Sequence, residues 1–536
     1  MTYQFNCVYV SPVYSNPQAN PSVYPYNGGQ SVVADLNGDG LPDLFEPQSN
    51  FNVPRLQPIV WKNLGNGQFV VDGSMIVNLS DTTTGSTIFG GYGLSMVSEI
   101  IAADFNKDGK TDYLIVDNGY ELSVSGKGPF VGSPLHLLMN NGTSVTYNNT
   151  SLPQSSVHIN SSAAVGDVNG DGYPDVLTAN FNDGITQYLN NRDGTFTAST
   201  IYSGVTSGVT TIQAGGTTEI VAGSYVQQTA PPVVLGKNAQ GQWTPLYNLE
   251  RITETGYPND GTNASWGAHY LYNIDINGDG RQDLLIVWEQ TPANTRQVVT
   301  VYTQNAAGTL VPQHNLDLMN IPGQGAIPLA FKDLNGDGFP DIIVQASVSS
   351  NQIGDCILIN DQHGQFIPLK LNVSPPTGLQ DSSLTVHVAD LNGDGNIDIM
   401  ATQGVFSPMP NPTGQTGVRE ITWLGNIPPK DINYFVDGPL GWSTKIVTVL
   451  CGSTGYAQYG CDTAESQNLN YSGLAQFAVN ASGLTNINAM ATDLWTNIVG
   501  SAPAPTDIAP YLSYTPANLL MFAADYHANL IGVSIT

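Results

Sequence analysis

Side-chain oxygens recur at positions one, three, five and nine of a short acidic segment, D-x-N-x-D-G-x-x-D, that occurs six times in the first four hundred residues. The copies place Asp35, Asn37, Asp39 and Asp43 together, then Asp104, Asn106, Asp108 and Asp112, then Asp167, Asn169, Asp171 and Asp175. Further along come Asp275, Asn277, Asp279 and Asp283, then Asp333, Asn335, Asp337 and Asp341, and finally Asp390, Asn392, Asp394 and Asp398. Position seven, occupied by Leu41, Lys110, Tyr173, Arg281, Phe339 and Asn396, would add a main-chain carbonyl in each copy. Position six is always glycine, where the chain must turn too sharply for a Cβ. Position two is always apolar, as in Leu36, Phe105 and Val168, and would anchor the segment in a core.

Such a set of hard oxygens suits a divalent cation that takes six to eight oxygen ligands, at about 2.3 to 2.6 Å. Calcium is therefore the expected ion, at six sites. Magnesium is disfavoured, because the smaller ion keeps its waters and seldom sits in an all-protein cage. The spacing is close to that of an EF-hand loop, but the acidic residue at position twelve is missing from every copy except the first, which has Glu46, and an apolar run begins straight after position nine. Six loops hold 18 aspartates, which repel one another unless a cation neutralises them, so the expected role of the metal is structural.

The elements that would position these loops follow from their spacing. The first aspartates are separated by 69, 63, 108, 58 and 57 residues, and the long interval is close to two of the others. A G-x-aromatic or G-x-apolar turn follows most loops, as at Gly67-Gln68-Phe69, Gly194-Thr195-Phe196, Gly308-Thr309-Leu310 and Gly364-Gln365-Phe366. The long interval holds one too, Gly241-Gln242-Trp243, and Gly215-Gly216 stands between two short apolar runs where a loop would otherwise be. Seven repeats are thus expected, the fourth without a metal loop. Each has an apolar strand ending at the first aspartate, a second strand starting at the last, and two more joined by a hairpin. Four antiparallel strands per repeat predict an all-β, seven-bladed β-propeller over residues 31–440. Residues 1–30 form an N-terminal arm or strand. Residues 441–536 form a small, mostly α-helical region, in which Ile487, Met490, Ala491, Leu494, Trp495 and Ile498 recur at helical spacing. Thr515-Pro516 predicts the start of another helix, running to about Asn529.

Composition narrows the function classes. A formal net charge of -28 repels nucleic acid, and no apolar run is long enough to span a bilayer. The N-terminal twenty residues lack the basic and apolar regions of a cleavable signal. Four cysteines, Cys7, Cys356, Cys451 and Cys461, are too few for a disulfide scaffold; Cys451 and Cys461 could close a local loop, and Cys7 and Cys356 could pair only if the N-terminal strand lies beside the blade holding Cys356. Seven histidines are scattered without a zinc or acyl-transfer motif, so His363 and His387 are read as structural and no catalytic residue is assigned. The 25 tyrosines and 7 tryptophans are read first as packing between blades and second as sugar-binding surface.

On the six loops, the first 440 or so residues resemble the FG-GAP propellers of integrin α-subunits, fungal propeller lectins and many bacterial surface proteins. The resemblance implies metal ligation by the residues named above and by nothing in the fourth repeat. The phrase F-G-x-x-G-A-P is reduced to a remnant at Phe89-Gly90-Gly91. The segment Leu494 to Pro503 is similar to a helical domain of unknown function at the ends of secreted bacterial repeat proteins. That likeness implies an extracellular or cell-surface protein exported by type I secretion. The function expected is a non-enzymatic, calcium-stabilised surface-layer, appendage or adhesin component with protein partners or self-assembly. A glycan-binding lectin ranks second, and a polysaccharide-degrading enzyme or a virion structural component stands behind it.

Overall fold

The structure is a computed structural model that describes residues 5–12, 31–47, 58–77, 97–118, 120–121, 130–148, 152–153, 159–180, 183–223, 231–252, 265–291, 297–316, 328–344, 346–347, 357–360, 366–370, 383–405, 417–425, 471–482, 486–499, 509, 512, 514–521, 523 and 533–534. Expectations about Cys356, Cys451, Cys461, His363 and Phe89 to Gly91 fall outside these residues.

Strands Val32–Ala34, Asp43–Glu46, Ile59–Asn63 and Phe69–Val71 pair in sequence order as an antiparallel sheet, and this grammar repeats around the molecule. Seven such blades form a β-propeller. The third comprises Asn160–Gly166, Asp175–Asn180, Gly184–Asn190 and Phe196–Tyr202. The fourth comprises Val209–Ala214, Thr217–Ala222, Val233–Lys237 and Trp243–Asn248. The second strands are apolar without alternation because both of their faces are covered. All six residues of Asp112–Asp117 are buried, whereas Phe196–Tyr202, an outermost strand, is mostly exposed after its first residue.

Successive side chains on a strand point to opposite faces, so each blade feeds two cores. Leu114 and Val116 pack with Ala163 and Val176 of blade three, while Tyr113 and Ile115 pack with Phe45 and Val60 of blade one. The same logic joins blade three to four through Leu177, Ile185, Ile220 and Leu235, and four to five through Ile212, Val234, Leu284 and Tyr302.

The ring closes with a strand from the other end of the chain. Phe5–Val10 lies antiparallel to Gly417–Gly425 as the outermost strand of blade seven, with Tyr9 opposite Thr422 and Val10 opposite Ile421. Leu391 and Met400 of blade seven then share a core with Leu44, Trp61 and Phe69 of blade one. Cys7 lies on this closing strand as an exposed free thiol, paired to blade seven and not to the sheet of Ile357–Asn360 that follows Cys356.

The C-terminal region carries helices α1 (Tyr471–Ser482) and α2 (Ile487–Val499) and a helical segment at 516–521. Met490, Ala491 and Leu494 of the expected apolar face are buried together with Leu474, Val479 and Leu520. Thr515 caps the last segment, accepting a bond from Asn518 N at 3.3 Å. Helix α1 has no counterpart in the sequence reading, although Leu474, Ala475, Ala478 and Val479 have the spacing of one helical face.

Candidate metal centre

Every acidic loop connects the first strand of its blade to the second, and its hydrogen bonds follow from where the carboxylates stand. The first aspartate folds over the loop and accepts from its N–H groups. Asp35 Oδ1 takes Gly38 N at 2.7 Å and Asp39 N at 3.2 Å, and Oδ2 takes Gly40 N at 2.9 Å. Asp104, Asp167, Asp275, Asp333 and Asp390 each accept from the sixth-position glycine N–H at 2.7 to 2.9 Å. The third-position asparagines accept from the fifth residue's N–H, as Asn106 Oδ1 does from Asp108 N at 2.9 Å. The fifth aspartates accept from the N–H of position seven, from Leu41, Lys110, Tyr173, Arg281, Phe339 and Asn396 in turn. The sixth-position glycines all have positive φ, between 80° at Gly280 and 90° at Gly338, as so tight a winding requires.

The ninth aspartate does different work. Asp43, Asp112, Asp175, Asp283, Asp341 and Asp398 are fully buried. One oxygen of each accepts the N–H of the loop's apolar second residue; the other accepts the N–H of the residue that ends, or in blade seven closes, the third strand. For Asp175 these are Val168 N at 3.0 Å and Asn190 N at 2.8 Å. Burial raises these carboxyls, to about 6 at Asp43, Asp112, Asp283 and Asp398 and to about 7 at Asp341, and the charges of the first and fifth aspartates push the same way. The first and fifth aspartates of each loop therefore act electrostatically on the ninth.

Four fifth-position aspartates carry a basic partner. Lys62 lies 3.5 Å from Asp39, Lys110 3.3 Å from Asp108 and Arg192 3.1 Å from Asp171, and Arg281 pairs with Asp279. Asp337 and Asp394 accept the amide N–H of Asn335 at 3.1 Å and Asn392 at 2.9 Å. Among the described residues, no three acidic, histidine or cysteine side chains are gathered as a closed metal cage. The loop carboxylates are spread instead over N–H donors and basic heads. The donor chemistry nevertheless fits a hard divalent cation: each loop brings three carboxylates, an amide oxygen and a position-seven carbonyl, and a carboxylate oxygen accepting one N–H keeps lone-pair capacity for more.

A set of residues that sequence reasoning missed ties these loops to their neighbours. The last residue of the third strand, Asn63, Asn190, Gln304 or Asn360, donates one amide hydrogen to the eighth residue of its own loop, at 2.9 to 3.2 Å. The other goes to a main-chain carbonyl of the preceding blade: Leu391, Phe105, Gln213 and Ile276, at 2.7 to 2.9 Å. In blade four the staple is Lys237, whose ammonium reaches Val168 O at 2.7 Å. The signal was available: an Asn or Gln sits a few residues before most of the G-x-aromatic or G-x-apolar turns. Blade four has no acidic loop, and its first two strands join at Gly215-Gly216, with Ala214 opposite Thr217.

The FG-GAP-like repeat family matches residues 104–178, 167–223 and 275–344. A T-cell immunomodulatory protein homolog of Plasmodium yoelii yoelii is 27% identical over 150 residues, covering 25% of this chain and 21% of that protein. Integrin alpha-11 of Homo sapiens is 30% identical over 148 residues, covering 25% of this chain and 12% of that protein. The matched part is thus at most about a fifth of these relatives' length. Among solved structures, the V. cholerae biofilm matrix protein Bap1 is 14% identical with a TM-score of 0.33, covering 80% of this chain and 92% of that one. The exotype rhamnogalacturonan lyase YesX is 16% identical with a TM-score of 0.27, covering 61% and 64%. Both likenesses are loose, and the propeller assignment rests on the sheets themselves.

Proposed function

As a seven-bladed propeller of FG-GAP-like repeats, this chain is, we propose, a calcium-stabilised binding and structural protein that works outside the cell, as a surface-layer, appendage or adhesin component. The observation that carries the reading is the repetition of one loop six times with the same oxygens on the same atoms, next to a fully buried ninth aspartate. A bound calcium would offset the repulsion within six sets of three carboxylates, which the single basic heads at four of them only partly balance. The first, fifth and ninth aspartates, the third asparagine and the seventh carbonyl would hold it. The ninth aspartate would pass the constraint onward, because it already bonds both its loop and the third strand.

Calcium sites of extracellular modules bind at about 10⁻⁴ to 10⁻³ M, concentrations met outside cells and not in cytosol. Similarity to integrin alpha-11 supports a binding role over catalysis, and no helix among the described residues is long and apolar enough to cross a membrane. Melting the protein in EDTA and again after restoring calcium tests the reading. We expect calcium to raise the midpoint by about 5 °C or more, since even one site at saturating ion contributes a few kcal/mol. An unchanged midpoint would count against the metal, and electron microscopy with and without calcium would show whether discs assemble.

A further inference from the structure

Blade four departs from its sisters at two neighbouring positions, and a groove opens where it does. In blades one, three, five and six the residue after the G-x turn is a buried apolar plug. Phe69, Phe196, Leu310 and Phe366 are 2%, 5%, 4% and 7% exposed. Phe196, for instance, meets the loop residue Phe105 of the preceding blade edge to face, with ring centres 6.1 Å apart. The equivalent in blade four is Trp243, which stays half-buried. Its indole N–H donates to Gln187 Oε1 of blade three at 3.2 Å, and the Lys237 ammonium lies 4.9 Å from its ring centre. Lys237 stands where blades one, two, three, five and six place Asn or Gln.

The space between blades three and four has a volume of about 670 Å³, lined at one side by Gln187, Leu189 and Ser199 and at the other by Lys237, Gln242 and Trp243. This is within the usual range for a small-ligand site. Its eleven lining residues include three amides, three hydroxyls and one ammonium, and none is acidic, although the chain carries a net charge of -28. Amides and hydroxyls both donate and accept, which suits a ligand dense in hydroxyls. The Trp243 edge, Leu189 and Ile201 offer apolar surface to the C–H side of a sugar ring. The ammonium has three donors, of which Val168 O takes one.

We propose that this groove is a saccharide-binding site, formed at blade four because it exchanges both the plug and the staple that blades one, three, five and six share. The proposal deepens the adhesive reading above and rests on it for its biological sense, while its groove lies between blades three and four and borders one acidic loop at Asn169. Its test restores the sister pattern. Trp243→Phe with Lys237→Asn should refill the groove, keep the inter-blade bond and spare the fold. A second variant, Gln187→Ala, removes one polar wall.

The full chain and both variants would be titrated, in calcium, with a panel of di- to hexasaccharides from glucans, mannans, galactans, chitin and uronic-acid polymers, reading tryptophan fluorescence and calorimetry. We expect at least one saccharide to bind the wild type and both variants to lose about tenfold or more in affinity, with midpoints kept within a few degrees. Undiminished binding in the double variant, or no wild-type binding across the panel, overturns the proposal. The EDTA melt reads all six loops, of which only one borders the groove, and so separates failure here from failure of the calcium reading.

Discussion

The ninth-position aspartates carry two N–H bonds each from full burial, so replacing one tests whether the loop depends on its charge. Asp175→Asn leaves one oxygen to serve both Val168 N and Asn190 N, and we expect a loss of about 1.5–3 kcal/mol, the usual worth of a hydrogen bond to a charged group. Urea denaturation checks the size, and a smaller calcium-induced rise in melting midpoint checks the link to metal.

Away from the loops, burial holds Glu99 at about 7, against bonds from Ala163 N at 2.8 Å and the Ser162 hydroxyl at 3.1 Å. Burial and the nearby Glu46 push Glu420 well above the ordinary range too. A raised carboxyl binds its proton more tightly folded than unfolded, so these groups cost stability at alkaline pH. That cost falls as pH drops through about 7 and is gone below the unfolded value of about 4.3. Stability with Glu99→Gln should therefore fall less between pH 5.5 and pH 8 than in the wild type, as read from urea midpoints at the two pH values.

At the level of the element, the hairpin of blade four stands in for an acidic loop and depends on two left-handed residues. Gly215 and Gly216 have φ of 57° and 85°, the combination a two-residue turn of primed type demands. Replacing both by alanine should cost about 1 kcal/mol per residue, with no change in calcium dependence, because no acidic loop is touched. Thermal melts with and without EDTA would show equal losses; a loss confined to one condition would contradict the assignment. The staple residues act at the same scale, each fixing the end of a third strand to the loop before it.

For the whole molecule, the decisive contact is the closing strand. Phe5–Val10 covers Gly417–Gly425, Ser11 N donates to Glu420 O at 2.8 Å, and Trp423 beneath is fully buried. Deleting residues 1–12 uncovers one edge of blade seven and unties the ring where its two ends meet. We expect a lower melting midpoint and first proteolytic cuts within residues 383–425, mapped by mass spectrometry; an unaltered cleavage pattern would contradict this role.

The repeat, the strand order within each blade and the seven-bladed count were legible in the sequence, because six loops of identical spacing are local features and a loop of nine residues fixes its own turn. The helix around Met490 and Leu494 was legible for the same reason, as a period along the chain. Helix α1 escaped because its apolar face, Leu474, Ala475, Ala478 and Val479, is short and half alanine, a weak period along the chain. Tertiary structure alone decided what depends on distant segments meeting: that Phe5–Val10 completes blade seven, that Asn63 reaches Leu391 and Asn360 reaches Ile276, and that Trp243 and Lys237 leave a groove instead of a plug. Local spacing encodes a blade, but the radial order of blades brings together residues hundreds of positions apart, and no short pattern records that encounter.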